Sequence, residues 1–87
     1  MKIKEGFVLR EVAGAYVVVA VGKAVKNFNG IINLNDTGAF MWKQVENGCD
    51  LEGLKNAILS EYEVDESVAI KDAKKFLDKL TEAGLVE

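Results

Sequence analysis

The pattern of apolar and polar positions divides the chain into two parts at about residue 34. Residues 6–34 are rich in Val, Ile, Phe and Tyr with glycines at intervals, whereas apolar residues after residue 35 recur every three or four positions. β-branched and aromatic residues fit the pleated surface of a sheet, and the longer spacing is typical of helices that bury one face. The pattern therefore predicts a sheet followed by helices.

The first part contains three candidate strands. Phe7–Val12 and Tyr16–Val21 are joined by a short turn at Ala13–Gly14, where glycine can supply the positive φ that a tight hairpin requires. A polar loop over Gly22–Asn29 then leads to a short third strand, Gly30–Leu34. Three short strands in succession favour an antiparallel sheet.

The second part contains three candidate helices. The first spans about Thr37–Asn47, the second follows residue 50, and the third and longest spans about Glu66–Ala83. Each helix follows a residue whose side chain can cap it: Asn35 or Asp36, then Asp50, then Asp65. Leu85–Val86 forms a short apolar tail that we expect to pack back on the domain.

The predicted order is β-β-β-α-α-α. A three-stranded sheet is too small to be stable alone, so the helices must cover one of its faces. This predicts an α+β fold of the winged helix-turn-helix type, a three-stranded antiparallel sheet followed by three helices in one domain over residues 1–87. Trp42, the only tryptophan, lies in an apolar stretch of the first helix and is expected in the core.

The composition argues against an enzyme. Without histidine the chain has no Ser-His-Asp triad, no imidazole acid or base and no histidine-ligated metal. Its single cysteine, Cys49, has no partner for a disulfide and suits a reducing compartment. The longest apolar run, Ala15–Val21, is far shorter than the roughly 20 residues of a membrane helix. We therefore expect a cytoplasmic protein with no catalytic residues, metal site, cofactor or membrane partner.

Charge is distributed unevenly along the chain. The net charge is −3, but residues 1–34 carry +3 and residues 35–87 carry −6. A duplex-binding domain normally presents a basic face, because neutralisation of phosphates supplies most of its affinity. A nucleic-acid partner is therefore not expected, although a winged-helix nucleic-acid-binding protein stays the alternative on the same fold.

Four lysines lie along the third helix and are open to three interpretations. They are interleaved with two aspartates, so they can form a solvated face. They can also line a peptide groove, or form the DNA-reading helix of a winged helix. The residues concerned are Lys71, Lys74, Lys75 and Lys79, with Asp72 and Asp78.

The segment Ile31–Trp42 resembles a known family signature. It matches the pattern hydrophobic-x-Leu-Asn-x-Thr-Gly-Ala-x-hydrophobic-Trp of the PqqD-like family, and Gly48, Tyr62–Asp65 and Gly84–Leu85 continue the spacing. The resemblance extends from about Gly6 to the end of the chain. It implies a small winged-helix domain of the kind called a RiPP recognition element, here expected to be free-standing.

The resemblance also implies a function without chemistry. Members of the family bind the leader segment of a ribosomally made precursor peptide and present it to a maturation enzyme, which in many pathways is a radical-SAM protein. The product is PQQ or another peptide natural product. The chain is then expected to act as a monomer or weak homodimer, and a structural subunit without a peptide ligand is a further alternative.

The resemblance places the guest peptide along the third strand, in a groove beside the third helix. The strand would contribute the backbone of Ile31, Ile32, Asn33 and Leu34, with one alternate pair of side chains pointing into the core. The helix would contribute Asp72, Lys75 and Lys79 beside Phe76, or instead the row Lys71, Lys74 and Asp78. Residues 34–38 of the signature are expected to support the start of the first helix and not the ligand.

Overall fold

The predicted order of three strands and three helices is confirmed. A computed structural model of the protein describes residues 2–26 and 31–87. The strands are β1 (Phe7–Val12), β2 (Ala15–Ala20) and β3 (Ile32–Leu34), and they form one antiparallel sheet in the order β1-β2-β3. The helices are α1 (Asp36–Glu46), α2 (Leu51–Glu61) and α3 (Glu66–Glu82).

The segments around the sheet differ from the prediction in detail. The expected polar loop begins with a short 3-10 helix, Gly22–Lys26, and the rest of that loop lies outside the described residues. The third strand is shorter than predicted and begins at Ile32, while Gly30 is not among the described residues. β2 begins one residue early, at Ala15, because a two-residue turn brings Ala15 opposite Val12.

The hairpin turn uses two residues with positive φ. Ala13 has φ 51° and Gly14 has φ 82°, the combination of a type I′ turn, whose twist matches that of the flanking strands. The glycine was expected, but an alanine in the left-handed region was not, because its Cβ makes this conformation unfavourable. The strand pairing on either side therefore holds Ala13 in place.

Two of the three helices begin with a side-chain cap. The Gly38 N–H donates to Asn35 Oδ1 at 2.7 Å, and the Gly53 N–H donates to Asp50 Oδ1 at 2.8 Å. Asp65 occupies the corresponding position before α3 with an extended backbone, but its side chain makes no capping hydrogen bond. The sequence pattern thus located the start of α3 correctly and overestimated the role of the Asp65 carboxylate.

The core lies between one face of the sheet and the three helices. Val18 of the central strand is fully buried against helix residues, and α3 contributes one continuous stripe to the same cluster. Trp42 is fully buried, as expected, but its Nε1 has no hydrogen-bond partner among the described residues. An unpaired buried N–H costs about 1–3 kcal/mol, so the indole stabilises the core through its volume.

The two ends of the described chain are tied together. Leu85 is fully buried, in agreement with the expected packing of the C-terminal tail. The Lys4 N–H donates to the Leu85 carbonyl at 2.8 Å, and the Glu87 N–H donates to the Lys2 carbonyl at 2.9 Å. This short antiparallel pairing covers the end of the core next to α3.

An ion pair that the sequence pattern did not reveal connects α2 to α3. Lys55 Nζ lies 3.0 Å from Glu52 Oε1 and 3.2 Å from Glu66 Oε1, and the lysine side chain is only 10% exposed. The hydrogen bonds that Lys55 donates to the carboxylates of Glu52 and Glu66 raise the pKa of Lys55. The contact joins the N-terminal half of α2 to the first residue of α3 and helps to set their packing.

The two aspartates allow a direct measurement of one capping hydrogen bond. We expect Asp50→Ala to lower the free energy of unfolding by about 1 kcal/mol, since it leaves the Gly53 N–H without its acceptor. Asp65→Ala removes the same charge at a helix start but no such bond, so its loss should be smaller. Urea unfolding followed by circular dichroism measures both, and equal losses would contradict the assignment.

Candidate functional site: a groove beside an open strand edge

β3 is an edge strand of the sheet. It pairs with β2, in the register Val18↔Ile32, Val17↔Asn33 and Tyr16↔Leu34. On its other side, no strand from residues 2–26 or 31–87 is paired with it. Backbone groups that point to that side are available to another chain, because an edge strand presents unpaired N–H and C=O groups.

The hydrogen bonds of β2 determine which groups of β3 point outward. The Val21 N–H, just after β2, donates at 2.7 Å to the carbonyl of Gly6, just before β1, so the N–H of Val21 points toward β1. In an antiparallel ladder successive residues alternate between the two neighbouring strands. Every second residue before Val21 therefore also faces β1, whereas Tyr16 and Val18 direct their groups toward β3.

The same alternation continues into β3. Ile32 lies opposite Val18 and Leu34 lies opposite Tyr16, so Ile32 and Leu34 exchange their hydrogen bonds with β2. The N–H and C=O of Asn33 then point away from β2, toward the open side. Of the four residues expected to offer backbone groups, Ile32 and Leu34 are therefore bonded to β2, and within β3 it is Asn33 that faces outward.

The side chains of β3 also alternate, which resolves a choice that the sequence left open. Ile32 and Leu34 are half-buried and pack against the core cluster. Asn33 is exposed, and Ile31, just before the strand, is 60% exposed. The pair that points into the core is therefore Ile32 and Leu34.

A groove of about 350 Å³ runs between the end of β3, the first turns of α1 and one face of α3. Six of the eight residues predicted for a site line it: Asn33, Leu34, Asp72, Lys75, Phe76 and Lys79. Ile31 and Ile32 do not line it. Four residues of the α1 region complete the lining: Asn35, Thr37, Gly38 and Met41.

The signature residues thus form part of the groove wall while supporting the helix start. Asn35 caps α1 through the Gly38 N–H, and both residues line the groove. A Cβ on Gly38 would lie 3.2 Å from Asn35 Oδ1 and 3.3 Å from Leu34 Cβ. Glycine at this position therefore lets the helix start approach the end of β3 closely.

The structure also distinguishes the two candidate rows on α3. The row with Asp72, Lys75 and Lys79 faces the groove beside Phe76. Lys71, Lys74 and Asp78 line a separate depression on the outer side of the helix. Lys75 and Lys79 border both depressions and so form the ridge between them.

The groove combines an apolar floor with charged side chains at its rim. Phe76 and Met41 are buried and Leu34 is half-buried, so they offer apolar surface from below. No ion pair within 4.0 Å involves Asp72, Lys75 or Lys79 in the part of the chain that the structure describes. The rim therefore has charge available for a ligand.

The cysteine thiol, the one strong nucleophile of the sequence, lies outside the groove. Cys49 does not line it, and partial burial, with a contribution from the negative charge of Asp50, raises the pKa of its thiol. Among the residues described, no group of three or more His, Cys, Asp or Glu side chains could hold a metal ion. Nor does any described helix have both the length and the apolarity to cross a bilayer.

These features define a class of small α+β domains with an open sheet edge beside a helix-lined groove. The sequence model of one such family, Coenzyme PQQ synthesis protein D (PqqD), matches residues 7–86. The chain belongs to this family, which confirms the resemblance of the signature segment. Among curated protein sequences, none matches the chain significantly.

Two solved structures share the fold over almost the whole chain. One is TbiB1 in complex with the TbiA(beta) leader peptide, with a TM-score of 0.78, 26% identity, and coverage of 100% of this chain and 95% of that chain. The other is lasso peptide synthetase B1 complexed with the leader peptide, with a TM-score of 0.76, 21% identity, and coverage of 99% and 95% respectively.

The raised pKa of Cys49 leads to a testable prediction about its reactivity. At mildly alkaline pH the native thiol should react with a disulfide reagent more slowly than the same thiol in concentrated urea, since burial lowers its thiolate fraction. The native rate should rise as the pH increases toward the thiol pKa. Stopped-flow absorbance measures both rates, and a native rate equal to or above the unfolded rate would contradict the prediction.

Proposed function

We propose that this chain binds the leader segment of a ribosomally synthesised precursor peptide and presents it to a maturation enzyme, without catalysing a reaction itself. The observation that carries the proposal is the outward-facing backbone of Asn33 beside a groove with an apolar floor. Membership of the PqqD family supports it. The two structural neighbours, each solved with a leader peptide, support the identity of the guest.

The binding mode is strand addition. An extended guest accepts from the Asn33 N–H and donates to its carbonyl, which extends the sheet by one strand. Alternate guest side chains then face the groove and cover apolar surface at Phe76 and Leu34. The backbone contacts supply affinity for any extended peptide, and the groove supplies the selectivity.

The absence of catalysis is supported by the residues themselves. The sequence contains no histidine, and its one cysteine has a raised pKa outside the groove. The family resemblance supports a separate maturation enzyme, in many pathways a radical-SAM protein. A lone reduced thiol fits action in the cytoplasm, and the net charge of −3 disfavours a nucleic-acid partner.

The test uses a proline at the residue whose N–H points outward. Asn33→Pro should keep the fold, because proline is tolerated on an edge strand where its N–H faced solvent. It should weaken binding of a synthetic leader peptide, taken from a precursor encoded beside the gene, by at least about tenfold. Calorimetry measures the affinity, and circular dichroism checks the fold.

Two matched variants separate the backbone effect from other causes. Asn33→Ala keeps the N–H and should bind within about threefold of the parent chain. Ile32→Pro removes a bond inside the sheet and should instead lower the free energy of unfolding. If Asn33→Pro retains full affinity, strand addition at β3 is wrong, and if the parent chain binds no leader peptide, the proposed function is wrong.

A further inference from the structure

The charged rim of the groove carries an inference about which peptides are selected. Resting on the proposed function, we infer that the groove selects guest strands with two acidic side chains separated by one residue, each paired with one lysine of α3. The two lysines are Lys75 and Lys79, which line the groove and have no ion-pair partner in the described part of the chain.

The spacing of the two lysines matches the repeat of an extended chain. Lys75 and Lys79 are four residues apart in α3, which corresponds to a rise of about 6 Å along the helix axis. Side chains on one face of a strand repeat every two residues, or about 6.6 Å. A guest lying along α3 in extended conformation therefore brings residues i and i+2 opposite the two lysines.

Asp72 limits the acidic pattern to two positions. It lines the same groove three residues before Lys75, a rise of about 4.5 Å. A third acidic side chain continuing the pattern toward Asp72 would meet a like charge and be disfavoured. The groove thus distinguishes a short acidic motif from a uniformly acidic peptide.

The charge of the whole domain strengthens this discrimination. The net charge of −3 repels acidic peptides at long range, so an acidic segment gains attraction only where its charges reach the lysines of the groove. The buried Phe76 and Met41 below the rim exclude water from one side of the contact. Such partial desolvation makes each pair stronger than a fully exposed one.

The outer row of α3 offers a matched control. Lys71 and Lys74 lie on the same helix, are exposed, and line only the outer depression. Reversing the charge of these two lysines changes the net charge by the same amount as reversing the groove pair. A difference between the two double variants therefore reports contact in the groove and not the general field of the domain.

The experiment selects peptides that bind the full chain from a display library of random 16-residue peptides. The selection is repeated on the groove variant, Lys75→Glu/Lys79→Glu, and on the outer-row variant, Lys71→Glu/Lys74→Glu. The parent chain and the outer-row variant should enrich peptides with the acid-x-acid pattern, and the groove variant should not. A selected peptide should bind the groove variant about tenfold more weakly, and its affinity for the parent should fall as salt is added.

Each other outcome has a distinct meaning. If the parent enriches peptides without the acidic pattern, or if both variants lose it equally, the charge inference is overturned while the proposed function stands. If the parent enriches no peptide, the charge inference is overturned, and binding of the leader peptide, measured as above, decides the proposed function. If Lys75→Glu/Lys79→Glu does not fold, the double variant Lys75→Gln/Lys79→Gln tests the same inference. It removes the attraction to acidic side chains without adding repulsion.

Discussion

The structure depends on the alternation of backbone hydrogen bonds along the central strand. Once Val21 is bonded to Gly6, each residue of β2 is assigned to one neighbour or the other. Because Ile32 and Leu34 lie opposite residues of β2 that face β3, their backbone groups bond to β2. The backbone groups of Asn33, between them, therefore face outward. A change of one residue in the pairing would turn these outward groups inward and would move Ile32 and Leu34 away from the core.

The start of α1 converts this open edge into a groove. β3 ends at Leu34, and α1 begins at Asp36 after the single capping residue Asn35. The capping bond to Gly38 and the absence of a Cβ at that position hold the helix start close to the strand end. α3 then forms the opposite wall, so one short segment supplies strand edge, helix start and groove lining together.

Much of the fold was predictable because its signals are local. Hydrophobic spacing located all three helices, β-branched runs located β1 and β2, and the apolar surroundings of Trp42 indicated its burial. Other features depend on tertiary geometry that spacing does not contain. The Lys55 contact with Glu66 joins residues eleven positions apart, and Asp65 has a capping residue type without the capping bond.

The predicted site likewise has a part that follows from local spacing and a part that depends on tertiary geometry. The residues of α3 were correctly grouped into rows by helical spacing, but only the position of β3 shows which row faces it. For the strand, the family resemblance indicated the segment and could not indicate the direction of each N–H, because that requires the register with β2. Nor could it indicate that Asn33 and Leu34 line the groove, while Ile31 and Ile32 lie outside it.

The small size of β3 has a consequence for which chains can pair with its edge. A sheet edge that accepts a foreign strand is equally a template for copies of itself, and long flat edges promote aggregation. β3 has only three residues and is followed almost at once by a helix, so two copies placed edge to edge can form few hydrogen bonds. The short length of β3 thus limits pairing between two copies at this edge, whereas a longer guest can gain further contacts from the groove.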